Sequence, residues 1–269
     1  MRLASLAMYT TPAPVAAAND ALWVYLRNRL RQLGLDGVPD DLDRLVVYDQ
    51  AWLRPDLLVA QTCGFPFVTK LLGRVRLLAT PVYDLPGCNG PLNRSKIIVA
   101  GTSPATGLED LRGLTAAINE PGSNSGSNLF RAAIAPLARD GRFFGSVIET
   151  GGHLASIEAV ASGKADVAAI DCVTFGNTLR FDPDRLANVR ILAETPEGPG
   201  LPFITSIRTT DDEIAAIRLV LDEVALATEL VEVREVLSLR RFEVLPESAY
   251  QRLAELARDA ASLGYPVIA

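Results

Sequence analysis

The chain has one histidine, His153, and three cysteines in 269 residues. A single imidazole leaves too few ligands for most metal sites and removes the usual histidine-dependent triads, so no metal centre is expected. Cys63, Cys88 and Cys172 are an odd number without the close spacings of a zinc site. No disulfide framework is expected, and each cysteine reads as a small buried hydrophobe. Lysines and arginines do not cluster, and the formal charge is −6. A chain of that charge has no footprint for a nucleic-acid backbone. No apolar run approaches the roughly 20 residues that cross a bilayer, because the longest are broken by Arg, Asp or Gly.

What is present is a chain with 49% hydrophobic and 22% charged residues. That balance suits a well-packed globular protein and excludes disorder. Met1 to Tyr9 alternates and then meets Thr10-Thr11-Pro12, which reads as a first strand and its turn. It lacks the longer apolar segment and small-residue cleavage site of a secretory signal. As written the chain reads as cytoplasmic; a leader ahead of Met1 would make it periplasmic.

Beyond the first strand, Val15, Ala18, Leu22, Tyr25, Leu26, Leu30 and Leu33 recur at spacings of three and four, predicting an amphipathic helix. The runs Val46–Tyr48, Leu57–Ala60 and Val75–Ala79 read as short buried strands. A turn-rich break at Pro86–Pro91 is followed by renewed alternation of strands and helices, including a strand from Asp166 to Asp171. A second break at Pro196–Pro202 leads to helical stretches at 214–237 and 249–263. This order predicts an α/β fold of two lobes, with one lobe (1–94 plus 190–269) built from both chain ends and the other (95–189) inserted between them. Ligands of such folds lie in the cleft between lobes.

The segment Pro121-Gly122-Ser123-Asn124-Ser125-Gly126-Ser127-Asn128 stands before an apolar run from Leu129 to Leu137. It places small hydroxyl and amide residues where a helix begins and its first N–H groups lack intrahelical partners. An oxyanion fits there. The segment also reads more simply as a turn with a helix cap.

Taken together, Gln61-Thr62-Cys63-Gly64-Phe65-Pro66, Tyr83 with Gly87-Cys88, Ser123-Asn124-Ser125-Gly126 and Gly152–Ser156 running into Gly163–Asp171 resemble the phosphate/phosphonate-type periplasmic binding proteins of ABC importers. These elements occur in the family's order. The resemblance implies the type II periplasmic-binding fold, no cofactor, and two lobes that close on a small anion or polar ligand. It also implies an ABC-transporter membrane subunit as partner and a monomer or weak dimer. The Ser123, Ser125 and Ser127 hydroxyls, the Asn124 and Asn128 amides and the Gly126 backbone would hold phosphonate, phosphate or phosphite, with His153 donating to the same anion. Asp171, at a strand end, either accepts from a ligand or caps the next turn. Tyr9, Gln61, Thr62 and Tyr83 would line the cleft from the first lobe. For both tyrosines core packing is the alternative. Asn124 stands where the family's loop usually has threonine, which opens the site to a carboxylate, a sulfonate or a neutral polar molecule.

A second reading is an enzyme on the same fold, of the menaquinone-pathway or pyrimidine-precursor type, using His153, Asp171 and Cys63. No catalytic motif surrounds these residues, and none is assigned a catalytic role. A third, a partner-binding helix at 214–237, conflicts with its charged face.

Overall fold

The computed structural model describes residues 1–269. Contacts divide the chain into two compact units, Met1–Asp84 with Pro199–Ala249 and Leu85–Gly198 with Tyr250–Ala269. No helix is long and apolar enough to cross a membrane.

The first unit holds a five-stranded sheet in the order Leu3–Ser5, Leu57–Gln61, Phe203–Ser206, Val75–Tyr83 and Leu239–Glu243. Leu57–Leu58–Val59–Ala60 is buried on both faces, as a continuous apolar run in a covered sheet should be. The helix Ala13–Gln32 buries Val15, Ala18, Leu22, Trp23, Leu26 and Leu30. Trp23, rather than Tyr25, completes that face, and Leu33 lies 41% exposed beyond it. A bidentate pair, Arg29 Nε and Nη2 to the two Glu223 oxygens at 2.8 Å each, joins this helix to the helix Asp211–Glu223.

Three expectations for this unit are corrected. The first strand ends at Ser5, leaving Tyr9 in the following turn. Val46–Tyr48 is no strand: Asp43 Oδ1 accepts from the Leu45 and Val46 amides, Val47 is exposed, and Tyr48 opens the short helix Tyr48–Trp52. The helical stretch at 214–237 breaks after Glu223 and resumes as Val231–Leu237.

The second unit's sheet runs Val189–Glu194, Ser95–Ala100, Val167–Asp171, Thr115–Ile118 and Ser146–Glu149. Side chains alternate across it. Ile97 and Val99 pack with Phe130, Ile134, Phe143 and Phe144 on one face, while Ile98 packs with Ile157, Val160 and Ile170 on the other.

The unit boundaries differ from the expected ones. The strand Val189–Glu194 and everything to Gly198 belong to the second unit, and so does the chain from Tyr250 onward. The reason lies in packing: Ala260 and Tyr265 are buried in the cluster of Phe130 and Phe143, and the amides of Phe143 and Phe144 donate to Ala269 O at 2.7 and 2.9 Å. Replacing Tyr265 with Ala should therefore cost about 3 kcal/mol or more in denaturant unfolding. Unchanged stability would detach the C-terminal segment from this core.

Candidate ligand site

The second unit's topology assembles the candidate residues. Thr115–Ile118 pairs in parallel with both Ser146–Glu149 and Val167–Asp171. Three adjacent strands therefore end at one edge of the sheet, where ligands of open α/β sheets sit. Asp171 is the last residue of the first of these ends. The Ser123 turn follows the second, and His153 opens the helix His153–Ala161 after the third.

The turn itself is wound wider than an α-helix. The amides of Asn128 and Leu129 donate five residues back, to Ser123 O and Asn124 O. Ser123 caps it by accepting from Gly126 N at 3.1 Å. Gly126 is required sterically, since a Cβ there would lie 2.7 Å from Asn119 Cγ. Asn119 in turn accepts from Ser156 Oγ at 3.3 Å, which ties the turn to the His153 helix.

Ser125 Oγ lies 2.9 Å from His153 Nε2. The backbone amide of Asp171 faces His153 Nδ1 at 3.5 Å, and Asp171 Oδ1 accepts from the amides of Val173 and Thr174 at 2.9 and 3.0 Å. Asp171 thus caps the following helix through Oδ1. Asn128 is equally committed. Its Nδ2 donates to Asn124 Oδ1 at 3.2 Å and Leu253 O at 3.0 Å, and its Oδ1 accepts from Arg131 at 2.7 Å. That side chain holds the turn in place. Ser127 is buried beside it.

Sequence reasoning does not find Ser95, whose Oγ donates to Ser125 O at 2.9 Å. A serine opening the largely apolar run Lys96–Ala100 is the one sequence signal for it.

In the first unit, Gln61 and Thr62 spend their side chains on backbone: Gln61 Nε2 donates to Leu201 O at 3.2 Å and Thr62 Oγ1 to Cys63 O at 3.3 Å. Tyr9 and Tyr83 pack edge to face with centroids 5.9 Å apart, Tyr9 buried and Tyr83 partly exposed. Cys63 and Cys172 are buried as expected, but Cys88 is partly exposed because it lies in a short edge strand.

Burial lowers the His153 pKa from its ordinary value, outweighing the upward pull of the Asp171 carboxylate and of the hydrogen bond with the Ala169 backbone. The ring is therefore neutral at pH 7.

The chain matches the family model "ABC transporter, phosphonate, periplasmic substrate-binding protein" over residues 55–250. The chain belongs to that family. Members are the substrate-binding components of ABC transporters, which bind a small molecule and work with a membrane permease; they are not enzymes. No curated protein matches the chain. Solved structures share its fold. A phosphonate-transporter binding protein of Pseudomonas aeruginosa is 16% identical with TM-score 0.76, covering 95% of this chain and 85% of that one. PhnD1 of Prochlorococcus marinus, in complex with methylphosphonate, is 17% identical with TM-score 0.72, over 91% and 94%. A Xanthomonas citri protein bound to ATP is 18% identical with TM-score 0.67, over 92% and 95%. The family's α/β fold is thus the one expected from the sequence.

One titration follows from the single histidine. An unfolded His153 takes up its proton near pH 6.5 and the folded one at lower pH, so folding stability should hold above about pH 6.5 and fall as pH drops toward 5. His153→Asn should flatten that window in chemical denaturation. A wild-type curve already flat there would contradict a buried, neutral ring.

Proposed function

We propose that this chain is a transport receptor for a small phosphorus oxyanion, phosphonate, phosphate or phosphite, held by the serine turn of the second unit. The observation that carries this reading is the 2.9 Å contact of Ser125 Oγ with His153 Nε2, at the sheet edge where three parallel strands end. Ser125, Ser127 and the Asn124 amide supply neutral donors, and the adjoining helix start adds its N–H groups. A neutral histidine beside them accepts a proton when an anion arrives, since a nearby negative charge favours the imidazolium.

Ser123 and Asn128 serve the same site indirectly, by capping and anchoring the turn. Asp171 does so by capping the helix behind it. In the first unit, Tyr9 and Tyr83 pack against each other, and Gln61 and Thr62 fix the local backbone. The receptor acts in the periplasm as a monomer or weak dimer with no nucleic-acid partner. Family membership supports the location, and the net charge of −6 supports the last point.

Calorimetry of the full chain against methylphosphonate, phosphate, phosphite and methanesulfonate tests the reading. The phosphorus oxyanions should bind stoichiometrically. Ser125→Ala and His153→Ala should each weaken binding about 10- to 100-fold, as loss of a hydrogen bond to a charged group does, with the circular dichroism spectrum unchanged. Tighter binding of the sulfonate, or full affinity in both variants, would overturn it.

A further inference from the structure

We infer that Cys88 and Cys172 form an intrachain disulfide when the protein meets a disulfide oxidant. Their sulfurs lie 3.5 Å apart. Main-chain bonds hold this approach from both sides. The Arg94 amide donates to Gly87 O at 3.0 Å, and the Arg94 carbonyl accepts from Cys172 N at 3.2 Å. Cys88 also pairs with Asn93 across a short antiparallel ladder. Gly87 has φ +106, and a Cβ there would come within 2.8 Å of Cys172 Cβ, so the turn lies as close to Cys172 as glycine allows. From 3.5 Å the sulfurs need close by only about 1.5 Å to reach the disulfide bond length, which side-chain rotation supplies.

Exposure sets the order of events. Cys88 is partly exposed and Cys172 buried. With glutathione disulfide as oxidant, the Cys88 thiolate attacks one of its sulfurs, the S–S bond breaks, and one glutathione leaves as thiolate and takes a proton. Cys172 then attacks Cys88 Sγ, the Cys88–glutathione S–S bond breaks, and the Cys172 proton passes to the departing second glutathione, which leaves as a thiol. Two protein thiols are oxidised and one glutathione disulfide is reduced to two thiols. The second step is the slower, because the contact with Cys88, burial and the adjacent Asp171 carboxylate hold the Cys172 thiol well above its ordinary pKa. The cross-link joins the Gly87 turn to the residue after Asp171. It requires no ligand and stands apart from the receptor reading.

The test incubates the native full chain with glutathione disulfide, quenches by acid, alkylates free thiols after denaturation and maps peptides by mass spectrometry without reduction. The expected result is one linked peptide containing Cys88 and Cys172, with Cys63, which lies in the other unit, alkylated. Reduced glutathione in excess should return all thiols. Three alkylated cysteines after oxidation, a glutathione adduct on Cys88 with Cys172 still free, or a linkage through Cys63 would each overturn the inference.

Discussion

Parallel pairing of the Thr115–Ile118 strand with both of its neighbours is the constraint on which the second unit depends. Parallel strands must each be followed by a crossover, and the three crossovers begin on the same edge. There the chain has to turn, and it does so with residues suited to helix starts. Ser123 caps one turn, Asp171 caps another, and Gly151, at φ +83, shapes the approach to His153. The site chemistry is thus a by-product of ending strands well.

Electrostatics explains why a neutral set of donors suits this place. Hydroxyl and amide side chains make up the turn that carries Ser125, and burial disfavours the charged form of the His153 imidazole. A fixed buried cation would cost several kcal/mol before any ligand arrived. Hydroxyls, amides and N–H groups carry no such penalty and are oriented in advance by Ser95, Asn119 and the wide helical turn. The one group able to take a full positive charge is His153. In the proposed reading, its protonation follows the ligand rather than preceding it.

The fold class and the serine turn were legible in the sequence because both rest on local patterns: alternation of short apolar runs with helical periods, and small polar residues ahead of an apolar stretch. Asp171 reads equally as a ligand contact or a cap, and the amides of Val173 and Thr174 that its Oδ1 caps come from the helix that follows it. Long-range partners were not legible. Nothing local tells Asn128 that its amide meets Leu253 O, or that Cys88 faces Cys172 across 84 positions. The last helix advertises an apolar face but not which core receives it, and residues 190–269 read as one lobe although Ala260 and Tyr265 pack in the second unit. Val46–Tyr48 misled because three apolar residues resemble a strand until their exposure is known.

The most direct measurement is an NMR pH titration of the His153 ring protons, unambiguous because the chain has no other histidine. Without ligand the midpoint should lie below the ordinary value of about 6.5, and with excess methylphosphonate it should move upward as the anion stabilises the imidazolium. An identical midpoint with and without methylphosphonate would contradict an oxyanion seat beside Ser125 and His153.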